Sequence, residues 1–261
     1  DNGRKRVDHK MPGITSRVLI LKFGAIGDVV MAIPAAHALY QRGAQIDWVC
    51  GPAVAPLLAL YPWIRTIVVD DRAILKGAPA RRMAAIANLW RRIAGRKYDL
   101  CATLYFDRRY RLLALPVRAK RKVMLSRTER GSRLVAVRHH SDEYRRILLA
   151  GEDTCRVDSA SPLRPERLPA CTLPQRKTSV RVGLVPGGAS NMLRQQILRR
   201  WPVAAYVELA KELLGRGYEV LLLGGPDDAW VRPEFAPLAA AGLPLLDAIG
   251  TLSLPEVISA C

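Results

Sequence analysis

Apolar residues gather in short runs along this chain, and most runs are followed by a stretch where they recur at helical spacing. Residues 18–21, 46–50, 66–69 and 100–104 are mostly apolar, strand-like runs. Residues 29–40, 54–60 and 82–94 instead place apolar positions three and four apart, the signature of a helix with one buried face. Strands alternating with helices predict a parallel sheet joined by right-handed crossovers.

The alternation then breaks. Residues 151–179 hold four prolines, several charges and little periodicity, which is the composition of a linker. Beyond it the pattern restarts. "VRVGLVPGGASN" reads as a strand ending in a glycine turn. "WPVAAYVELAKELLGRG" reads as a helix with Pro202 in its first turn and Gly217 after its end. "YEVLLLGGPDDAW" is a second strand that again runs into glycines. The expected organisation is a disordered leader at 1–16, an N-terminal Rossmann-like domain at 17–150, a linker at 151–179 and a second Rossmann-like domain at 180–261. The second half offers two clear strands and a third near Leu245 and Leu246, and then stops inside a helical pattern. A doubly wound sheet usually has about five or six strands, so the second domain is expected to be incomplete at its carboxyl end.

Composition narrows the function. Half of the 261 residues are hydrophobic, enough for real cores. No apolar run approaches the roughly 20 residues needed to span a bilayer, and the start lacks the pattern of a secretory signal. Cys50, Cys101, Cys155, Cys171 and Cys261 are odd in number and never spaced as C-x-x-C, which reads as free thiols in a cytoplasmic protein. The net charge of +18 is uneven: residues 81–146 carry nineteen Lys or Arg against five Asp or Glu. Such a field favours an anionic partner or is an ordinary solvated surface. Aromatic residues are not interleaved with the basic ones as a base-stacking surface would want. An anionic lipid surface therefore ranks above nucleic acid.

The turns carry the candidate chemistry, because open parallel sheets bind ligands at the carboxyl ends of their strands. Gly24 and Gly27 make the first turn, without the G-x-G-x-x-G of a dinucleotide site or the Lys-Ser/Thr of a Walker loop. Asp28 stands where a phosphate would otherwise sit and would repel it. Two roles are open to it: a helix N-cap, or a general base held ionised by the helix dipole. The anion site is better sought in the second half. Gly187 and Gly188 allow backbone amides to approach a ligand, Ser190 adds a hydroxyl, and Arg199 and Arg200 precede a helix start. Asp227 and Asp228 suit either a ribose contact or a helix cap.

In this order the motifs resemble a known family. "LKFGAIGDVVMAIPAAHAL" is similar to the amino-terminal motif of the glycosyltransferase family 9 heptosyltransferases. "VPGGASN…RRWPVAAYVELAKEL" is similar to that family's donor-site motif, and "VLLLGGPDD" to its next strand and acidic turn. The resemblance covers residue 17 to the end. It implies an α/β protein of GT-B fold, with two Rossmann-like domains whose parallel sheets face a cleft. It further implies an inverting transferase without a metal or other cofactor. The implied donor is ADP-heptose, and the implied acceptor is the lipopolysaccharide inner core, an anionic glycolipid reached from the cytoplasmic face of the inner membrane.

Carried over by position, Asp28 matches the family's catalytic aspartate, and Gly24 and Gly27 fall on the acceptor side. Ser190 matches a small hydroxyl position of the donor loop, and Asp228 an acidic residue at the nucleoside. Arg199 stands where the family usually has a phosphate-binding lysine, a departure that bears on donor identity. The family's carboxy-terminal Asp-x-Gly-x-x-His motif is absent, which puts the activity of the chain as given in question.

Overall fold

The computed structural model describes residues 16–107, 109–126, 132–133, 139–149, 165, 167–175, 178, 180–188, 198 and 200–261. The chain divides into two compact units between Arg164 and Pro165. That division falls inside the segment read as a linker. Leu173 packs on the core of the second unit, and the Ser259 hydroxyl donates to the Pro169 carbonyl at 2.8 Å.

The first unit is built on a parallel sheet of β1 (Arg17–Leu21), β2 (Gln45–Cys50), β3 (Ile64–Val68), β4 (Lys97–Thr103), β5 (Arg118–Ser126) and β6 (Ser132–Arg133). Their spatial order is β3-β2-β1-β4-β5-β6. Helix α1 (Ile26–Gln41) follows β1, α2 (Ala55–Leu58) follows β2, and α3 (Asp71–Lys76) with α4 (Pro79–Ile93) crosses from β3 to β4. Helix α5 (Arg109–Leu113) precedes β5, and α6 (His140–Leu148) packs back against α1. Residues 19–21 of β1 are fully buried, as a central strand covered on both faces requires, so its sequence is an unbroken apolar run.

The expected strands of this half are all present, and the structure adds the two-residue β6 and the longer β5, which the hydrophobic pattern does not announce. Its sequence, RAKRKVMLS, begins with four basic residues in five positions. Arg118, Lys120 and Lys122 alternate outward along it, so only half of its pattern is apolar and the run reads as a charged surface.

Much of the basic stretch 81–146 is engaged locally. Arg82 donates to the Gly77 carbonyl beyond α3, and Arg109 to the Leu75 carbonyl as well as to Asp107. Lys122 donates to the Ala114 and Leu115 carbonyls after α5. Lys120 pairs with Asp99 and Arg146 with Glu143, each at 2.7 Å. Cations at helix carboxyl ends satisfy carbonyls that have no partner within the helix, a use that orders these side chains and leaves their charge in place.

The second unit holds β7 (Arg181–Leu184), β8 (Glu219–Leu222) and β9 (Leu245–Asp247), parallel in that order. Helices α7 (Val203–Gly215) and α8 (Arg232–Ala240) cover one face through Ala210, Leu214, Phe235 and Leu238. Val257, on α9 (Leu254–Ala260), packs with Leu173 against Leu221, Leu223 and Ala248 on the other face. Glu219 is buried within β8 and pairs with Arg181 of β7 at 3.1 Å, so its charge is compensated within the sheet.

Candidate functional site

In the first unit the chain leaves β1 to one side through α1 and returns to the other side through the β3–β4 crossover. The topological switch point therefore lies between the carboxyl ends of β1 and β4, where open α/β sheets bind ligands. Lys22, Phe23 and Gly24 follow β1 there, and Leu104, Tyr105 and Phe106 follow β4. The Leu104 amide donates to the Leu21 carbonyl at 3.1 Å, which keeps the two exits side by side.

Asp28 lies in the first turn of α1, and the N-cap position is taken by Ala25. The carboxylate is held by a side chain: Lys22 Nζ donates to Asp28 Oδ2 at 2.7 Å. Lys22 is 1% exposed, whereas the Asp28 side chain keeps 29% of its surface open. The carboxylate is thus anchored on one side and accessible on another. Lys22 Nζ also sits 4.9 Å from the centre of the Tyr105 ring and 5.9 Å from that of Tyr144 on α6, where ring faces attract a cation. Burial pushes the lysine pKa below its ordinary value of 10.5, and the Asp28 charge and hydrogen bond oppose that shift. Burial, and then the neighbouring Asp28 carboxylate, push the Tyr144 hydroxyl up, so it stays protonated.

Gly24 and Gly27 lie between the two members of this pair, and a methyl group added to either would meet nothing within 4 Å. The space over the turn is open, as an incoming hydroxyl needs. Asp28, Gly24 and Gly27 are therefore brought together at one strand end. The sequence reading missed Lys22, Tyr105 and Tyr144. Lys22 had a signal: a lone charge that continues a buried strand run just before a glycine turn.

The second unit assembles its own cluster at the carboxyl ends of β7 and β8. Asp228 Oδ1 accepts from the Gly188 amide at 2.7 Å, and Oδ2 accepts from the Gly225 amide at 2.9 Å. The carboxylate ties together the two glycine turns that follow the strands. Gly187 has to be glycine, since an added Cβ would fall 2.4 Å from the Asp228 carboxyl carbon, and Gly188 adopts a φ of 78°. Arg200 donates to the Gly188 carbonyl at 2.7 Å and stacks its guanidinium 4.5 Å above the Trp230 ring.

Of the expected donor residues, Gly187, Gly188, Arg200 and Asp228 thus form one cluster. Each Asp228 oxygen accepts one backbone amide, so the residue braces the glycine turns, and a half-buried carboxylate has lone pairs left for a further donor. Ser190 and Arg199 lie outside the described residues. Among the described residues no group of His, Cys, Asp and Glu is arranged to hold a metal ion. None of the described helices is long and apolar enough to cross a membrane.

Compared by sequence, the chain matches no family model and no curated protein. Solved structures do match. The glycosyltransferase of family 9 from Veillonella parvula DSM 2008 aligns with 94% of this chain and 72% of its own, at a TM-score of 0.69 and 20% identity. E. coli heptosyltransferase WaaC with ADP aligns with 94% and 78%, at 0.66 and 19%. E. coli ADP-heptose lps heptosyltransferase II aligns with 93% and 75%, at 0.68 and 18%. These likenesses bear out the fold expectation: an α/β chain with parallel, Rossmann-like sheets, sharing its fold with glycosyltransferases of the family its motifs resemble.

Proposed function

We propose that the chain is a glycosyltransferase of the heptosyltransferase kind, with Asp28 as its general base. The observation that carries this is the Lys22–Asp28 pair: an accessible carboxylate, fixed on one oxygen, at the switch point of the first sheet. In this reading the acceptor hydroxyl lies over Gly24 and Gly27 and gives its proton to Asp28. The hydroxyl oxygen forms the new bond to the anomeric carbon while the bond from that carbon to the diphosphate breaks, with inversion. The nucleoside diphosphate leaves with the bonding electrons. The glycine turns braced by Asp228 and Arg200 hold the donor, and Arg199 meets the phosphate charge.

The donor is a nucleotide sugar, with ADP-heptose the first choice. E. coli WaaC, which shares the fold, is solved both with ADP and with ADP-2-deoxy-2-fluoro heptose. The acceptor is an anionic glycolipid of the lipopolysaccharide inner core, reached by peripheral attachment to the cytoplasmic face of the inner membrane; the chain's basic balance supports this assignment. The deciding experiment measures sugar transfer and donor hydrolysis across a panel of ADP- and UDP-sugars, with Asp28→Asn in parallel. Turnover with ADP-heptose that collapses in the variant is the expected result. Turnover confined to UDP-sugars would replace the donor. Equal rates in both proteins would remove Asp28 as the base.

A further inference from the structure

The geometry points to a second ligand site on the first unit, at the opposite end of the strands from Asp28, that takes a phosphorylated ring compound of nucleotide size. A cavity of about 580 Å³ opens there, within the size range of small-molecule sites. It lies at the amino ends of β1, β2 and β3, with Arg17, Asp47, Arg65, Arg96, Tyr40 and Trp63 among its walls. Along β1, the five steps from Arg17 to Lys22 span about 17 Å. A ligand in this cavity is therefore separate from one that touches Asp28.

Two features set the chemistry of the ligand. The first is charge. Three guanidiniums line the cavity against one carboxylate, Asp47. That carboxylate is already satisfied: Arg65 bonds both of its oxygens, the Tyr98 hydroxyl donates at 2.7 Å, and Arg96 stands 3.5 Å away. Arg65 and Arg96 still expose about two-fifths of their side chains, 44% and 40%. The wall therefore carries an excess of planar donors, which match the oxygens of a phosphate. The network also fixes Arg65 before any ligand arrives.

The second feature is a flat aromatic wall. Tyr40, near the end of α1, and Trp63, just before β3, stack with centroids 5.3 Å apart and planes 18° apart. His37 supports Trp63 from 5.2 Å. Such a wall offers a sugar or base ring a face to lie on. Phosphate donors beside a ring-stacking wall, in a cavity of this size, select a nucleotide or sugar phosphate over a bare anion. No step assigned to Asp28 or to the donor cluster uses these residues.

The test is calorimetric titration of the whole chain with adenosine 5′-monophosphate, ribose 5-phosphate and inorganic phosphate. Each is repeated in Arg96→Gln, Arg17→Gln and Tyr40→Ala, and in Asp228→Ala to discount the donor cluster. Arg96 is a safe substitution because Arg65 and Tyr98 still satisfy Asp47; a thermal melt of each variant checks folding. The expected result is that the nucleotide binds at least about fivefold tighter than ribose 5-phosphate, the low end of base stacking. Tyr40→Ala should erase that margin, and Arg96→Gln should weaken both esters roughly tenfold, as loss of a charge-assisted bond does. Asp228→Ala should leave this binding in place. Equal affinity for all three probes would reduce the site to a charged patch. Binding that responds to Asp228→Ala but not to Arg96→Gln would assign it to the donor cluster. No binding at all would remove the site, with no bearing on transfer by Asp28.

Discussion

Lys22 and Asp28 are six residues apart, one continuing a buried strand and the other in the first turn of a helix, and their 2.7 Å ion pair staples the two across an open glycine turn. The lysine carries most of the burial, and the aspartate keeps the access. This division gives the pair two separable properties: a structural cost if it is broken, and a chemical role for one member.

Asp28→Asn tests both. Asparagine keeps the shape but leaves the Lys22 ammonium without its counter-charge. Folding stability is expected to fall by about 2–3 kcal/mol, less than the roughly 3–5 kcal/mol of breaking a fully buried pair, because Asp28 has solvent access and Lys22 can release its proton. Turnover is expected to fall about 10²–10⁴-fold, the contribution of a positioned base. Adding Lys22→Met should restore most of the stability and none of the rate. A double variant that recovers the rate would show the carboxylate to be structural.

Lys22 also makes stability depend on pH with a definite sign. Its folded pKa lies below the unfolded value of 10.5, so between the two the unfolded chain binds the extra proton. Stability then rises with pH across that window, and the cost of burying the ammonium is fully present below it. Relative to Lys22→Met, the wild-type melting temperature should therefore gain as pH climbs from neutrality toward 10.5. A gap that stays constant or moves the other way would contradict the burial of a charged lysine.

Lys22 acts through Asp28, so it is a positioning residue. Lys22→Met is expected to lower kcat while leaving donor KM unchanged, and Lys22→Arg should rescue part of the loss by keeping the charge. A donor KM that rises with kcat unchanged would place the lysine in substrate binding instead.

The two neighbouring arginines of the second unit should separate by ligand. Arg200 bonds the Gly188 carbonyl and stacks on Trp230, so Arg200→Ala loosens the turn as a whole and should weaken adenosine and ADP alike. Arg199→Ala should weaken ADP alone, by about 1.5–3 kcal/mol for a lost charge-assisted bond. Calorimetry with both ligands decides; equal losses on Arg199→Ala would take it out of the phosphate role.

Gly187→Ala is expected to disturb the same turn, because the new methyl group would overlap the Asp228 carboxyl group. A cost of about 1–3 kcal/mol is the usual penalty for overpacking. Combined with Asp228→Ala, the loss should be smaller than the sum of the two single losses, since the shortened side chain makes room. Strict additivity would mean that the two residues do not meet.

The local patterns were legible because they need only neighbours in sequence. The strand run at 18–21 lies where sheet burial demands unbroken apolar sequence, that at 46–50 is apolar but for Asp47, and Pro202 and Gly217 mark a helix start and end by backbone constraints alone. The helical residues 254–260 and the short strand at 245–247 were read for the same reason. Strand β5 was not, since its charges conceal an alternation that only its pairing with β4 reveals. Asp28 could be singled out by its place after Gly27, but its choice between cap and base could not be made from spacing. Ala25 takes the cap, and Lys22 takes the carboxylate.

What the sequence determined by itself, then, is the alternation of strands and helices, the glycine turns at strand ends, and which residue types stand in them. Those follow from periodicity and backbone freedom, which act over a few residues. The tertiary structure decided which charges meet. Tyr144 reaches Lys22 from α6, more than a hundred residues on, and Asp228 reaches Gly188 across forty. It also placed Arg17, Arg65 and Arg96 around one aromatic-walled cavity. A charge is partnered or free according to what the sheet brings beside it, and that proximity is set by strand order and helix packing, which local pattern does not encode.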